Sequence, residues 1–314
     1  MINLFVTGDQ VTIASPASAY PSGMTGDVAG GFGPHVEVLS SEPVPGGFSG
    51  ASKFRLRALL TEHDVRVERT LLLKQTSQVE VNALTAAARV PGTDAVPEVI
   101  ATGANRDGPY VLTAFYPGEP AADETSLPTD VIRTLARLHA YYQNAPVPEG
   151  VPVIDSDWWR AKCDLSAQRL RSLPGSVAQD LGTQVQGLKE EQAMLAALDE
   201  LPRTLIHGDL HHNNVLVDAD GHGHIIDWGG SFIGAAALDL SHLGEPDSAG
   251  HRTYLATWQE LTGERLAESA DWARSCVTAT VWANIKYLAF ATKIFGDERG
   301  LQMMASARSA LAQL

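Results

Sequence analysis

The chain has 314 residues, of which 44% are hydrophobic and 19% are charged. This length and apolar content suit one large domain or two modest ones with a sizeable core, and they exclude a disordered chain and a disulfide-stabilised miniprotein. The formal net charge is −14. Because the sequence contains no concentrated basic patch, so acidic a chain is not expected to bind the phosphate backbone of nucleic acid.

Cysteine usage and hydropathy indicate the compartment. Cys163 and Cys276 are the only cysteines in the sequence, too few for a disulfide framework, which indicates a reducing environment. The sequence has no run of about 18 apolar residues and no basic residue before Lys53, so it predicts neither a membrane span nor a secretory signal. We therefore expect a cytoplasmic protein without a membrane partner.

Strand-forming patterns dominate the chain up to residue 118. Residues 1–33 mix two short apolar runs with Gly, Ser and Pro, and we treat them as an N-terminal extension of unknown role. Within residues 34–118, alternating apolar and β-branched runs separated by turn residues predict an antiparallel sheet with one short helix. The predicted strands cover 35–41, 53–60, 65–74 and 110–116, and the helix covers 79–89.

Helical periodicity dominates residues 119–314, which we predict to form a second domain. The predicted helices lie around 131–142, 157–172, 177–200, 252–260, 268–292 and 299–313. A non-helical segment, residues 204–233, interrupts them. Its two short β-branched runs flank a turn at 218–221 and predict a β-hairpin on a helical body.

That segment contains the most informative motif of the chain. Residues 207–214 are His-Gly-Asp-Leu-His-His-Asn-Asn, which fits the H-x-D-L-x-x-x-N spacing of a kinase catalytic loop. Asp227 follows in an Ile-Asp-Trp-Gly segment, where a protein kinase has Asp-Phe-Gly. Upstream, Lys74 ends an apolar strand pattern. Two separated strings that agree in residue type, order and spacing are far more specific than either one alone.

Over residues 35–314 these features resemble the aminoglycoside phosphotransferase family of small-molecule kinases. The resemblance implies an α+β, protein-kinase-like bilobal fold. Its N-lobe, an antiparallel sheet with one helix, would bind nucleotide, and its mainly helical C-lobe would carry the catalytic loop and the substrate site. The resemblance also implies a phosphotransferase that uses Mg²⁺ and ATP, or GTP, and phosphorylates an alcohol group, with antibiotic resistance as one biological role.

Phosphoryl transfer requires an in-line acceptor and compensation of the negative charge on the triphosphate, and the motif residues suit both tasks. We expect Asp209 to orient the acceptor hydroxyl and to accept its proton. Asn214 and Asp227 offer the hard oxygen ligands that Mg²⁺ prefers. By the resemblance, Lys74 is expected to contact the α- and β-phosphates and Glu80 to hold its ammonium group.

Further expectations follow from position in the chain. The backbone amides of Phe48, Ser49 and Gly50, in a glycine-rich loop between the first two strands, are candidates for phosphate binding. The backbone near Phe115 resembles the hinge that meets the adenine edge. The motif histidine is expected to support the catalytic loop, and Asp239 is expected either to accept hydrogen bonds from that loop or to cap a helix.

The acceptor is less well defined. Residues 119–314 carry 15 basic and 26 acidic side chains, a net charge of −11, which favours a small cationic acceptor such as an aminoglycoside. Choline-like amines, amino sugars and macrolides remain alternatives. The candidate acceptor contacts are Asp157, Trp158, Glu245 and Asp247.

Two other classes of function compete with a kinase. A nucleotide-binding module without catalysis is disfavoured because both Asp209 and Asp227 are present. A metallohydrolase is suggested by the five histidines between residues 207 and 224, although the H-E-x-x-H signature is absent. The sequence leaves the choice between a monomer and a homodimer open.

Overall fold

An antiparallel sheet of five strands forms the N-terminal lobe. A computed structural model of the protein describes residues 36–44, 52–62, 65–123, 126–241, 243 and 248–314, so the extension expected at 1–33 lies outside the described residues. The strands are β1 (Val36–Pro43), β2 (Lys53–Glu62), β3 (Val65–Gln75), β4 (Val99–Asn105) and β5 (Gly108–Ala114). They lie in the order β1-β2-β3-β5-β4.

Alternation along the strands gives the sheet one apolar face. Leu71 and Leu73 of β3 belong to the same buried cluster as Leu56 and Leu60 of β2. Because successive side chains of a strand point to opposite faces, Lys74 faces away from this cluster. Its side chain meets the helix α1 (Gln78–Ala87), on the side of the sheet that contacts the rest of the molecule.

The start of α1 matches a capping-box pattern. Ser77 is the N-cap, and its side chain accepts a hydrogen bond from the Glu80 N–H at 3.2 Å. In a capping box the glutamate at this position returns to the N-cap backbone. Here the Glu80 carboxylate instead contacts Lys74 and Thr76, so it is available to the neighbouring strand.

The rest of the described chain is mainly helical. The helices are α2 (Thr129–Asn144), α3 (Ser156–Arg171), α4 (Ser176–Gly187), α5 (Gln192–Glu200), α6 (Ala237–Leu240), α7 (Ala249–Thr262), α8 (Ala270–Phe295) and α9 (Asp297–Leu311). Their common core contains the fully buried side chains of Trp159, Trp258, Trp282 and Tyr254, which bury large apolar areas. Among the described helices, none combines the length and the hydropathy that a membrane span requires.

Two local predictions are wrong. The stretch 177–200 is two helices and not one, because α4 ends at Gly187 and α5 begins only at Gln192; glycine is a poor helix former and commonly ends a helix. The strand β4 is missing from the prediction. Its less exposed positions include Ala101 and Gly103, and such small residues give no clear apolar alternation.

Short strands between α5 and α6 carry the motif segment. β7 (Thr204–Ile206) pairs with β10 (Phe232–Gly234), and β8 (Val215–Val217) forms the expected hairpin with β9 (Gly223–Ile225), which β6 (Glu119–Pro120) extends. At the open end of the hairpin, the Ile226 N–H donates to the Asn214 carbonyl oxygen at 2.9 Å. The register therefore brings Asn214 and Asp227 to the same end of the hairpin.

The hairpin packs on α2 through Gly223. A Cβ at this position would lie 2.2 Å from Cγ2 of Val131, and the Gly223 N–H donates to Asp130 at 3.0 Å. We expect Gly223→Ala to lower the free energy of unfolding by about 1–3 kcal/mol, the usual cost of overpacking, as measured by urea denaturation. Gly187→Ala is the matched control, because a Cβ there meets no atom within 4 Å. An equal loss of stability in both variants would contradict this packing.

Candidate active site

The second residue of the catalytic loop is a glycine that the backbone requires. Gly208 has φ +74°, and a Cβ on it would lie 2.3 Å from the Gly230 carbonyl oxygen. Gly230 in turn lies against Asp209, since a Cβ on Gly230 would be 3.0 Å from the Asp209 Cβ. The two glycines allow the loop and the segment after Asp227 to approach closely, which brings the motif carboxylates into one region.

A buried aspartate ties the loop down. Asp239 accepts hydrogen bonds from the His207 N–H at 2.7 Å and the Gly208 N–H at 2.6 Å. His139 Nε2 lies 3.2 Å from the same carboxylate, and the Tyr254 hydroxyl lies 2.9 Å from His139 Nδ1. Burial alone would raise the pKa of Asp239, but His139, His207 and the Gly208 N–H hold it below its ordinary value. Asp239 thus accepts the backbone hydrogen bonds that the family resemblance implies.

The motif histidine connects the catalytic loop to the Asp227 segment. His207 Nε2 donates to the Ile226 carbonyl oxygen at 2.9 Å, and its Nδ1 accepts the Asp209 N–H at 3.3 Å. The ring also packs edge-on against Trp228, with 5.0 Å between the ring centroids. Because both ring nitrogens are engaged, His207 supports the loop and is not placed to act as a base.

Lys74 is joined to two carboxylates. Its Nζ lies 2.7 Å from Glu80 Oε1 and 2.8 Å from Asp227 Oδ1, and the lysine is only 7% exposed. Burial lowers the pKa of Lys74, but Glu80 and Asp227 outweigh this effect, so the pKa is raised. One charged ammonium group therefore holds both a helix carboxylate and a motif carboxylate.

Asp227 adopts a left-handed backbone conformation. Its φ of 64° is the only positive φ among the described residues other than glycine. A non-glycine residue in this region carries about 1–3 kcal/mol of strain, and such strain clusters at functional sites. Burial would raise the pKa of Asp227, but Lys74, together with His207 and Lys53, lowers it. The carboxylate is therefore ionised, and its Oδ1 faces the Lys74 ammonium.

Asn214 and Asp227 provide a donor set that suits Mg²⁺. Asn214 Nδ2 donates to the Asp209 carbonyl oxygen at 2.9 Å and lies 3.2 Å from His211 Nε2. These contacts orient the amide and leave its oxygen for a cation. An amide oxygen and an ionised carboxylate are hard ligands of the kind that Mg²⁺ prefers. The neighbouring Asn213 is exposed, so the residues present favour Asn214 as the ligand.

The histidines of this segment are divided among separate contacts. Across the described ranges, no three His, Cys, Asp or Glu side chains are grouped so that they could hold a metal ion. His224 stacks on Tyr116 with 3.9 Å between the ring centroids, and His222 lies 3.5 Å from Asp130. The geometry therefore gives the metallohydrolase hypothesis no support.

Asp209 is held by two side chains of α8. Lys286 Nζ donates to Asp209 Oδ1 at 2.8 Å and also contacts the Gly208 carbonyl oxygen, and the Tyr287 hydroxyl donates to the same Oδ1. Burial would raise the pKa of Asp209, but Lys286, Tyr287 and His207 hold it well below its usual range. These contacts engage Oδ1, whereas Oδ2 lies 3.8 Å from His211 Nε2.

Comparison with protein families agrees with this geometry. Residues 42–275, more than half of the chain, match the model of the phosphotransferase enzyme family (APH). The chain belongs to this family. It is a small-molecule kinase, as the resemblance of its motifs to this family implied. No curated protein sequence matches the chain.

Solved structures of small-molecule kinases share the fold. Choline kinase from Cryptosporidium parvum is 13% identical with a TM-score of 0.54, over 89% of this chain and 90% of its own. A thermostable mutant of aminoglycoside phosphotransferase APH(4)-Ia, in ternary complex with AMP-PNP and hygromycin B, is 15% identical with a TM-score of 0.53, over 88% and 94%. Macrolide 2′-phosphotransferase MphH from Brachybacterium faecium is 19% identical with a TM-score of 0.50, over 85% and 91%. These matches confirm the α+β, protein-kinase-like bilobal fold.

Sequence reasoning gave no reason to select Lys286 and Tyr287 of this phosphotransferase. Both lie in α8, far along the chain from the motif. The available signal is that Lys286 is the only charged residue between Arg274 and Lys293. A single charge in an apolar helix needs a partner, but the sequence does not say which partner it meets.

Two of the four acceptor candidates of the phosphotransferase can be placed. Trp158 lies near Lys286, a partner of Asp209. The centroids of the Trp158 and Trp282 rings are 6.4 Å apart, and Lys286 Nζ lies 4.9 Å from the centroid of the Trp282 ring. Asp157 does not join this group. Its side chain is 90% exposed and pairs with a neighbouring arginine.

Of the remaining predicted site residues, only Phe115 lies among the described residues. Phe48, Ser49, Gly50, Glu245 and Asp247 lie outside the described residues. Phe115 directly follows β5, and its N–H donates to the Thr70 carbonyl oxygen at 3.0 Å. This N–H is therefore engaged within the sheet, and the contact between the backbone near Phe115 and the adenine edge stays a prediction.

The phosphotransferase should lose stability when the buried carboxylate is neutralised. Because folding lowers the pKa of Asp239, its stabilising effect is complete above the ordinary aspartate pKa of about 4 and is lost as the pH falls through the folded value. We expect Asp239→Asn to lower the free energy of unfolding at pH 7 by about 3 kcal/mol. The difference from the wild type should shrink below pH 4.

Urea denaturation from pH 7 downwards measures both effects. Asp164→Asn is the matched control, because this exposed carboxylate also has a lowered pKa, with Lys189 as the main cause, yet surface pairs contribute little. A difference between wild type and Asp239→Asn that stays constant with pH would show that charge is not the cause.

Proposed function

We propose that this phosphotransferase moves the γ-phosphoryl group of ATP to a hydroxyl of a small molecule, with Mg²⁺ bound to the nucleotide. The observation that carries the proposal is the pairing of the two motif carboxylates. Asp227 is paired with Lys74 of the sheet, and Asp209 is paired with Lys286 of the helical lobe. Asn214 is hydrogen-bonded to the Asp209 backbone, so a nucleotide side and an acceptor side meet at one short segment.

The nucleotide side contains a buried cation and a metal donor set. The Lys74 ammonium can donate charge-assisted hydrogen bonds to phosphate oxygens, and Glu80 keeps it in position. Asn214 and Asp227 would hold Mg²⁺, whose charge offsets that of the triphosphate. GTP would satisfy the same contacts, so the preference for ATP is an expectation from the family.

The acceptor side is organised around Asp209. Its ionised carboxylate presents Oδ2 to an acceptor hydroxyl, while Lys286 and Tyr287 fix Oδ1. The hydroxyl proton passes to this carboxylate as the new oxygen–phosphorus bond forms, while the bond between the γ-phosphorus and the β,γ-bridging oxygen breaks and ADP leaves. Because transfer proceeds through a loose transition state, orientation of the hydroxyl contributes more than the strength of the base.

The net charge of the helical lobe and the family bear on the acceptor and the biological setting. The net charge of −11 on residues 119–314 favours attraction of cationic molecules such as aminoglycosides, and antibiotic resistance would be the corresponding role. A cytoplasmic location fits the need for ATP. The net charge describes the whole lobe, however, and the side chains that surround Asp209 give more specific information.

Neutralising Asp209 should separate binding from transfer. We expect Asp209→Asn to reduce kcat at least a hundredfold, because orientation and proton acceptance are lost together, while Mg-ATP still raises the melting temperature. Phosphate-transfer assays and thermal unfolding measure the two effects. Asp157→Asn, on the exposed face of α3, is the control and should keep kcat within twofold. Normal turnover in Asp209→Asn would refute the assigned role.

Removing the Lys74 charge should weaken nucleotide use. We expect Lys74→Met to raise the KM for ATP at least tenfold and to remove most of the thermal stabilisation by Mg-ATP, because a charge-assisted contact to phosphate is worth about 1.5–3 kcal/mol. Lys293→Met, at an exposed position of α8, is the control. Unchanged ATP kinetics in Lys74→Met would remove this residue from the nucleotide side.

A further inference from the structure

A cluster of two lysines and two tryptophans lies beside Asp209. Lys286 and Trp282 belong to α8, and Lys162 and Trp158 belong to α3, which packs against α8. The Lys286 ammonium lies 4.9 Å from the centre of the Trp282 ring, and the Lys162 ammonium lies 5.7 Å from the centre of the Trp158 ring. Since the two tryptophan rings are 6.4 Å apart, both ammonium groups belong to one site, which we call the basic cluster.

The two lysines differ in how their charges are compensated. Lys286 is paired with Asp209 at 2.8 Å. Lys162 has the Trp158 ring as its contact and no carboxylate within ion-pair distance among the described residues. Burial, together with the like charges of Lys286 and Arg169, lowers the pKa of Lys162 to about 8, although Asp209 opposes the shift. A partly buried cation without a paired anion is unfavourable, and a bound anion would remove this cost.

A cationic ligand does not suit the basic cluster. An aromatic surface beside a carboxylate is a common site for a ligand ammonium group. Here the chain's own Lys286 occupies that position, because its Nζ also lies 4.5 Å from the centre of the Tyr287 ring. A second ammonium group placed there would meet two like charges at short range.

The basic cluster belongs to the acceptor side and not to the nucleotide side. The residues that suit the nucleotide come from β3, from α1 and from the open end of the hairpin. Lys162 and Trp158 come from α3, and no described contact joins either of them to Lys74, Glu80 or Asp227. An anion bound by Lys162 would therefore be part of the molecule that presents its hydroxyl to Asp209.

We propose that Lys162 binds an anionic group of the acceptor, a carboxylate or a phosphate, while Asp209 Oδ2 receives the hydroxyl to be phosphorylated. The acceptor class is thus a hydroxy acid or a phosphorylated alcohol, and not a polycationic antibiotic. This inference rests on the proposed function, since it requires Asp209 to orient the acceptor. The acidic surface does not oppose it, because exposed charges more than about 8 Å apart are largely screened at physiological salt.

Matched acceptors that differ in one anionic group test the proposal on the full-length protein. Gluconate is compared with glucose, and glycerol 3-phosphate with glycerol, so that the two pairs distinguish a carboxylate from a phosphate. Choline and kanamycin represent cationic acceptors. Product mass and ADP release measure transfer with Mg-ATP, and thermal unfolding without nucleotide measures binding alone. We expect gluconate or glycerol 3-phosphate to raise the melting temperature of the protein. We also expect its kcat/KM to be at least tenfold higher than that of the matched neutral compound.

Variants of Lys162 assign the effect to this residue. We expect Lys162→Met to raise the KM for the anionic acceptor at least tenfold, with the KM for ATP and the kcat within twofold of wild type. Lys162→Arg should restore most of the affinity, because it keeps the charge. Lys162→Gln serves as a second neutral variant if Lys162→Met folds poorly, and Lys293→Met is the matched lysine control that should change nothing.

Four results would overturn the proposal. The first is that neutral or cationic acceptors are used better than anionic ones. The second is that no anionic compound of the panel raises the melting temperature. The third is an unchanged acceptor KM in Lys162→Met. The fourth is a rise in the KM for ATP in that variant, which would assign Lys162 to the triphosphate. Failure of the proposed function is a different result, namely no stabilisation by Mg-ATP or full transfer activity in Asp209→Asn.

Discussion

The hydrogen bonds to the buried Asp239 carboxylate are the interaction on which the catalytic segment depends. An ionised carboxylate removed from water loses several kcal/mol of hydration unless its oxygens are satisfied. The donors here are the N–H groups of His207 and Gly208 and the ring of His139. Two of the three donors are the first residues of the catalytic loop. The hydrogen bonds that satisfy the carboxylate therefore also hold the loop in place. His139 joins the same carboxylate to the core of the helical lobe.

The charged groups around the fixed loop differ between its two sides. On the nucleotide side, Lys74 lies within ion-pair distance of two carboxylates, those of Glu80 and Asp227. On the acceptor side, two lysines accompany the carboxylate of Asp209, and Lys286 is paired with it while Lys162 is not. Carboxylate oxygens suit a divalent cation with its triphosphate, whereas an unpaired ammonium group suits an anion. This difference supports the proposed division between a nucleotide side and an acceptor side of one loop.

Much of this arrangement could be predicted from sequence because it is local. The sheet, most helices and the hairpin follow from periodicity and turn residues, and Asp209, Asn214 and Asp227 are connected by one loop and one register, so their spacing determines their proximity. Lys286 could not be assigned, since only the packing of α8 on the loop brings it there. The expected sign of the acceptor charge came from a sum over the whole lobe, which includes solvent-facing residues such as Asp157 that lie apart from the site.

The contacts of Asp209 favour orientation over basicity. Lys286 and Tyr287 hold its pKa well below the usual range, so the carboxylate is a weak acceptor for a proton at neutral pH. Burial and the nearby Asp209 carboxylate raise the pKa of Tyr287, so the tyrosine remains a hydrogen-bond donor throughout the physiological range. In a loose transition state the acceptor oxygen retains its proton until its bond to phosphorus is nearly formed. A weak base in a fixed position is then sufficient, whereas a stronger base free to rotate would lose the in-line geometry that the reaction requires.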